Sequence, residues 1–581
     1  MTPIKSHRRR FLRDNAVCLS AMSLALSAEP WRPLQAGTAG RPIGREFQSD
    51  IAIIGGGLGG FAAAMAALES GQTVVLTEET DWIGGQLTSQ AVPPDENPWI
   101  ETYGANRSYQ EFRRLVRHYY RENYPLTDEA RRDPLLNPGN GSVSRLCHEP
   151  RVALAVMINL LARYVSSGQL LVLTDHAPIA AGVDGDTIKS VTLKDLRTNQ
   201  TRAVLASLFI DATELGDLAE LAHTEHVTGF ESRTQTGEPR APEQAQPWNQ
   251  QAFTICFAVD HRPSEDHTID KPPEYARWKD YVPPLKPLWP GKLLSLTYSN
   301  PYTLEPKTLG FDPTKPDQPG WWKYRRIIDA AKFATGRYPS SGVCLVNWPQ
   351  NDYLPGPLIG PGVTSEMASK HLASARQLSL SLLYWLQTEA PRPDGGAGWK
   401  GLKLRGDLLG TQDGLAKSAY IRESRRLKTR FTVTSRHVGT EDRRAELGNT
   451  SSGPVKASDF ADSIGIGAYR IDLHPSTGGD NYIDLSSLPF QIPLGSLIPI
   501  RMKNLIPACK NLGVTHLTNG CYRLHPVEWA IGEAAGTLAS FSISQKLEIH
   551  SIYENSKQRA LFLSRLDARG VSRVWSETKA L

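Results

Sequence analysis

The stretch "DIAIIGGGLGGFAAAMAALESGQTVVLTEET", Asp50 to Thr80, decides the fold. Residues 51–54 form a short apolar run with no polar alternation, as in a strand buried on both faces of a parallel sheet. Gly55, Gly57 and Gly60 follow in the spacing GxGxxG. In such a unit the first glycine permits a tight turn and the second lets backbone approach a pyrophosphate. The third lets helix pack on strand. The alanine-rich run 61–68 is predicted as the helix, its positive N-terminal end facing the phosphates. Gly71 ends it, 73–77 is the second strand, and Glu78 stands at that strand's end. A carboxylate there accepts hydrogen bonds from a ribose. Strand, glycines, helix, strand and acid in register predict a dinucleotide-binding βαβ unit.

The residues that follow choose between nicotinamide and flavin. "ETDWIGGQLTSQ" begins at Glu79 and sets Gly84 and Gly85 six and seven residues after Glu78. This resembles the ExxxxxGG extension of the flavoprotein disulfide reductase and amine oxidase superfamily, in which a second glycine pair passes the FAD diphosphate. The resemblance implies FAD, with Gly84, Gly85 and Gln86 as cofactor contacts. "SLFIDATELGDLAELA" resembles the second flavin-contact motif of that superfamily, with Ala212 and Thr213 as its small residues. Glu214 and Leu215 stand before Gly216, where the motif has glycine directly. "NLIPACKNLGVTHLTNGCYRLHPVEWAIGEAAGTLASF" resembles the C-terminal return strand and helix of the same proteins. Lys510 and Asn511 replace their ribityl-binding acid. Taken together, residues 48–545 resemble the broad family of FAD-dependent oxidoreductases with the "RLHPVEW…GEAAG" ending. The fold this implies is α/β: a Rossmann-type FAD-binding domain assembled from discontinuous segments, with an inserted α+β substrate domain.

In that ending Pro526 suits the first turn of a helix and Glu528 favours its positive end. Gly532, Ala535, Gly536 and Ala539 are small enough for the helix to lie close against the sheet, and Gly532 is counted with the cofactor contacts. The resemblance puts His525 beside the isoalloxazine, as hydrogen-bond donor or substrate base, with Arg523 adding positive charge. The alternative reading makes His525 a helix cap and Glu528 part of a capping interaction.

The rest of the chain bounds the reading. Its 581 residues exceed one simple core, and 40% hydrophobic with 22% charged residues is ordinary globular composition. Most of the +5 net charge lies in the first 28 residues, in Lys5, Arg8, Arg9, Arg10 and Arg13 against Asp14, so no nucleic-acid surface is expected. The six cysteines are scattered with no CxxC, which signals neither a disulfide framework nor structural zinc. "MTPIKSHRRRFLRDNAVCLSAMSLALSAEP" has the basic, apolar and small-residue layout of an export signal. Its "RRRFLR" resembles the twin-arginine pattern with Arg8 and Arg9 as the pair. The expected location is then periplasmic or secreted, and cytoplasmic if the leader is a basic tail without function.

The domain reading is signal 1–28, linker 29–47, FAD-binding segments 48–95, 145–230 and 490–545, substrate segments 96–144 and 231–489, and tail 546–581. Within these, "SYQEFRRLVRHYYREN" is expected as an amphipathic helix with Phe112, Leu115, Val116 and Tyr119 on one face. Residues 237–361, dense in Pro and Trp, are expected as ordered loops and short strands, and "MASKHLASARQLSLSLLYWLQTE" as a helix. "YIRESRRLKTRFTVT" is expected to run from a basic segment into a strand. Arg422, Arg425 and Arg426 are read as a solvated face or an anion site. His223 and His226 lack a third metal ligand and read as surface residues. With one GxGxxG and no second nucleotide domain, electrons are expected to enter from a small organic substrate at an amine or alcohol C–H. They leave to oxygen, a quinone or a carrier. A lyase or isomerase with redox-neutral FAD, and a non-enzymatic flavin carrier, are the other readings. Expected partners are that substrate, the twin-arginine translocation machinery and a second copy in a homodimer.

Overall fold

The computed structural model describes residues 46–448 and 455–576. The leader, with Arg8, Arg9 and Cys18, and the linker up to residue 45 lie outside the described residues. The chain enters β1 (Glu46–Ile54), turns through the glycines into α1 (Leu58–Glu69) and returns as β2 (Val74–Thr77). Helices α2 (Arg107–Asn123) and α3 (Pro150–Ser166) precede β3 (Leu170–Leu173), the hairpin β4 (His176–Asp184) and β5 (Thr187–Asp195), and β6 (Thr201–Asp211). These strands make one sheet in the order β3-β2-β1-β6-β5-β4. The four strands β3, β2, β1 and β6 run parallel, and the hairpin joins them antiparallel.

Two boundaries differ from the sequence reading, each for a tertiary reason. Strand β1 begins at Glu46, inside the presumed linker, because β6 continues to pair with it as far as Glu46↔Ala203. Helix α1 begins at Leu58 rather than 61 and takes Gly59 and Gly60 into its first turn. A side chain at Gly59 would put Cβ 1.7 Å from the Ala508 carbonyl, and one at Gly60 would meet the Gly55 carbonyl at 2.1 Å. Packing overrides the poor helix propensity of glycine.

A second, antiparallel sheet comprises β7 (Phe257–His261), β8 (Arg326–Ile328), β9 (Val343–Val346) and β10 (Leu402–Leu404). Its long partner helix α4 (Ser365–Thr388) closes an aromatic core that includes Trp278, Trp321, Trp322 and Trp348. The connecting stretches are loops and elements a few residues long, as the Pro and Trp density implies. β11 (Ile471–Leu473) and β12 (Ile483–Leu485) pair before the chain returns to the first sheet. There β13 (Leu505–Pro507) lies parallel to β6, followed by α5 (His516–Tyr522) and the buried α6 (His525–Gln545).

Helix α6 corrects one expectation. Its main partner is helix α1 rather than the sheet, although it also touches β6 and β13: a Cβ at Gly532 would lie 2.1 Å from the Gly59 carbonyl, and one at Gly536 2.2 Å from that of Ala63. The inward face of α2 differs too. Phe112 and Val116 are buried, but they share that face with Tyr109, Arg113, Arg117 and Tyr120, while Leu115 and Tyr119 are only half-buried. Arg113 and Arg117 go inside because Glu96 and Glu101 pair with them. The "YIRESRRLKTRFTVT" segment contributes only the two-residue strand Arg426–Leu427. No helix among the described residues is long and apolar enough to cross a membrane.

Candidate functional site

The glycine turn builds an anion corner. Gly55 takes φ +102°, a conformation strained for any side chain, and its backbone lies against Ala212 and Thr213. Gly57 caps α1 in ordinary extended geometry, and Gly85 (φ +49°) approaches so closely that its Cβ would be 2.9 Å from Gly57 Cα. Four side chains converge here: Glu528, Gln86, Glu214 and Lys510. Glu528 Oε1 accepts the N–H of Gly59 at 3.2 Å and its Oε2 accepts Gln86 Nε2 at 2.5 Å. A Cβ at either Gly57 or Gly85 would meet Glu214 Oε1 at 3.0 Å, and the other oxygen of Glu214 is ion-paired with buried Lys510. Burial works against the Lys510 charge, but Glu214 and Glu528 outweigh it and hold its pKa above the ordinary value. Burial raises the Glu528 carboxyl, with Lys510 opposing. Two carboxylates and a cation thus meet at the N-terminus of α1, whose backbone N–H groups favour negative charge.

Glu528 therefore does not complete a cap on its own helix. It serves the first turn of α1, from a position remote in sequence. Glu78, at the end of β2, accepts the Gly56 N–H at 3.2 Å and both donors of Thr80, and burial raises its pKa to about 7. The Asn511 side chain is used internally: Nδ2 donates to the Asp211 carbonyl and Oδ1 accepts the Cys509 N–H. It ties the end of β13 to β6, whereas Lys510 faces the corner. Gly532, being a helix–helix contact, leaves the list of cofactor contacts for the same kind of reason. Gly84 (φ +105°) turns the chain beside Met157 and Thr88, and its N–H donates to the Gly56 carbonyl at 2.7 Å.

Beyond the corner lies a set of buried polar atoms without hydrogen-bond partners among the described residues: Gln86 Oε1, both polar atoms of the Gln90 amide, Asp95 Oδ1, Arg325 Nε and His525 Nε2. Buried polar groups are ordinarily paired, so such a concentration marks a polar ligand's place. His525 is wholly buried at the start of α6. Its Nδ1 accepts the Asp95 N–H at 3.0 Å, so the neutral ring carries its proton on Nε2. Burial pushes its pKa down to about 3, and the ring is neutral at physiological pH. Nδ1 is engaged and Nε2 is protonated, so His525 is a hydrogen-bond donor rather than a base. It is not the helix cap, a position Leu524 holds. Arg523 sends Nη1 to Tyr420 Oη at 3.0 Å and Nη2 to the Asp472 carbonyl at 3.1 Å. Arg325 faces Asp95 at 3.4 Å.

The basic segment is neither a solvated face nor a free anion site. Arg426 is fully buried between Glu231 and Glu423, both at 2.9 Å. Arg422 is buried against Asp352 at 3.2 Å, and half-buried Arg425 pairs with Asp217 at 3.1 Å. Asp352 in turn holds His474 Nδ1 at 2.6 Å. His226 lies beside Glu220 at 3.2 Å, and among the described residues no group of three metal-ligating side chains forms.

Asp95, Gln90, Arg325, Asp352, Tyr420 and His474 escaped the sequence reading. They sit on loops or strands a few residues long; unpartnered buried atoms reveal Gln90, Asp95 and Arg325, and tertiary partners reveal Asp352, Tyr420 and His474. Measured against FAD, the residues fit: a glycine-lined anion corner with Lys510, a carboxylate in Glu78 at the ribose position, and amide and imidazole donors and acceptors for a polar ring.

Comparison with known proteins supports the same group. Among solved structures, the chain is similar to an E. coli quinol fumarate reductase FrdA variant at 10% identity and TM-score 0.30, over 90% of this chain and 74% of that one. An L-amino acid deaminase from Proteus vulgaris matches at 13% and 0.21, over 40% of this chain and 57% of that one. The L-proline dehydrogenase from P. horikoshii matches at 17% and 0.16, over 29% and 23%. The chain thus spans less than two thirds of the deaminase and dehydrogenase, and at these TM-scores none of the three carries an argument. No curated protein matches. The model of the family described as FAD dependent oxidoreductase matches residues 50–561. A match running from the first buried strand through the last returning helix leaves one conclusion: the chain belongs to the FAD-dependent oxidoreductase family, and FAD is its cofactor.

Proposed function

We propose that this protein oxidises a small organic substrate at an amine or alcohol C–H and passes the electrons to oxygen, a quinone or a small carrier. The observation that carries the reading is the cluster of buried, unpartnered donors and acceptors on Gln86, Gln90, Asp95, Arg325 and His525, which adjoins the anion corner. Gly57, Gly85 and Lys510 would hold the diphosphate, and Glu78 the ribose. Gln86, Gln90 and the Nε2–H of His525 would hold the ring. FAD supplies a two-electron sink when bound. The chain orients the substrate, excludes water and donates the His525 hydrogen bond. Arg523, tied to Tyr420 and Asp472, would add positive charge near His525. Export by the twin-arginine route is part of this proposal, since that route carries folded, cofactor-loaded proteins.

The test is anaerobic bleaching of the purified yellow protein by a metabolite library. A substrate that bleaches the flavin, with a product oxidised by two electrons, supports the reading. Turnover without an acceptor would instead mean redox-neutral chemistry, and bleaching without product a carrier. In FAD-loaded His525→Ala the loss of this donor should slow bleaching by about 10²-fold, whereas an unchanged rate removes His525 from the chemistry.

A further inference from the structure

We infer that Glu528 links FAD binding to a proton: it takes one up as the cofactor arrives and then donates that hydrogen to the diphosphate. FAD is therefore held more tightly in acid than in alkali. The inference rests on the placement of the diphosphate proposed above and adds a linkage to it.

Four segments bring charge to the Gly57 turn. Glu528 comes from the first turn of α6, Glu214 from the loop after β6, Lys510 from the loop after β13 and Glu78 from the end of β2. A Cβ at Gly57 would lie 3.0 Å from Glu214 Oε1 and 3.9 Å from Glu528 Oε1, so the two carboxylates face one another across that glycine. They share Lys510 unequally. Its ammonium is in direct ion pair with Glu214 and acts on Glu528 at longer range. The Glu214 side chain also keeps 25% of its surface in solvent, whereas Glu528 is wholly buried. With the poorer partner and no water, Glu528 is the carboxyl that takes the proton. Burial lifts it to about 7 against the pull of Lys510, and the charge of Glu214 adds to the rise. The remaining groups around the pair are Glu78, Glu79, Asp217 and the Cys509 thiol, which burial keeps protonated. Of these Asp217 has its own cation, Arg425, at 3.1 Å.

Ionised, Glu528 can only accept, and it adds negative charge where two phosphate charges must come. Protonated, it sheds that charge and gains an O–H donor. Its Oε2 is committed to Gln86 Nε2 at 2.5 Å, while the bond from Gly59 N–H to Oε1 is longer, 3.2 Å. The proton therefore belongs on Oε1, the oxygen that faces Gly57. From there it donates to a phosphate oxygen, and the remaining lone pair of Oε1 still accepts Gly59 N–H. A dianion bound in this corner raises the carboxyl further. Below about 7 Glu528 already carries its proton in the free protein, and FAD affinity is level with pH. Above about 7 each FAD must draw a proton from solvent, so affinity falls by up to about tenfold per pH unit.

The test is FAD binding to the full-length chain freed of flavin, followed by flavin fluorescence at pH 6.5 and pH 8.5. The wild-type dissociation constant should rise at least about tenfold between them. Glu528→Gln puts a permanent N–H donor without charge at this position, and its affinity should be the same at both pH values. Glu78→Gln should keep the wild-type slope. Calorimetry at pH 8.5 in two buffers of different ionisation enthalpy should count about one proton taken up per FAD in wild type and none in Glu528→Gln. A level wild type, a wild-type slope in Glu528→Gln, or a slope lost in Glu78→Gln overturns the inference. The proton count on wild type needs no variant, so zero uptake refutes it even where Glu528→Gln fails to fold. Lys510→Met should weaken FAD at least about tenfold at both pH values. Unchanged affinity there removes the diphosphate from this corner, a failure of the placement itself that takes the proton linkage with it.

Discussion

Replacing Gly532 by alanine tests the seam on which the cofactor corner is built. The new Cβ would lie 2.1 Å from the Gly59 carbonyl oxygen and 2.7 Å from Gly59 Cα. Comfortable carbon contacts lie at about 3.5–4.0 Å, so α1 and α6 must part by roughly 1 Å at their crossing. The obstructing atoms are helix backbone and cannot rotate away. Overpacking of this sort costs about 1–3 kcal/mol. The better helix propensity of alanine offsets about 0.5–1 kcal/mol of that. The difference is a net loss centred on about 1 kcal/mol and reaching about 2.5 kcal/mol. The assay is the urea midpoint of the apoprotein at unchanged m-value. Gly310→Ala is the control, because its Cβ would meet nothing within 4 Å. The loss should be present before FAD is added, since it comes from packing and not from a cofactor contact. A Gly532→Ala midpoint at or above wild type, beside a neutral Gly310→Ala, would refute the reasoning.

Gly57→Ala should behave in the opposite way. Its Cβ would meet only the end of the Glu214 side chain at 3.0 Å, so the apoprotein should stay within about 0.5 kcal/mol of wild type. FAD uptake, followed by fluorescence titration, should fall at least about tenfold, because backbone no longer reaches the diphosphate; equal affinity would count against the corner. Glu238 is fully buried and its pKa is raised by burial from 4.5 to about 7. Its folded state favours the protonated form, so this contribution to stability is complete below about 4.5 and is lost as pH rises toward about 7. Glu238→Gln keeps an acceptor for Ser435 N–H and Thr515 Oγ1 and should stabilise the protein at pH 8 by on the order of 2 kcal/mol. Denaturation at pH 5 and pH 8 checks this, and a variant with the wild-type pH slope would exclude Glu238 as its source. Changing Arg8 and Arg9 together to lysine should retain the protein in the host cytoplasm. Fractionation that still recovers it from the periplasm would reject the twin-arginine reading of the leader.

The βαβ unit could be read directly from Asp50 to Glu78 because each of its requirements is local. Apolar continuity marks the buried strand, missing side chains mark the turn, and the acid falls one strand later. The long helix Ser365–Thr388 and the irregular Pro- and Trp-rich stretch were legible for the same reason. Local rules misled where a charge had its partner far away. Glu528 looked like a cap on its own helix, yet its carboxylate accepts an N–H of Gly59, 469 residues away. Arg422 and Arg426 looked solvated because their segment is basic, yet Asp352, Glu231 and Glu423 bring them inside. A buried charge is tolerated only where an opposite charge or hydrogen bond meets it. The sequence by itself therefore determined the βαβ unit and its glycine turn, whose causes are local, and pointed to flavin through its resemblance. Only the tertiary structure decided that His525 is a donor and that Glu528 faces Glu214 across Gly57, because the groups that set each come from Asp95, Glu214 and Lys510, brought in by other segments of the chain.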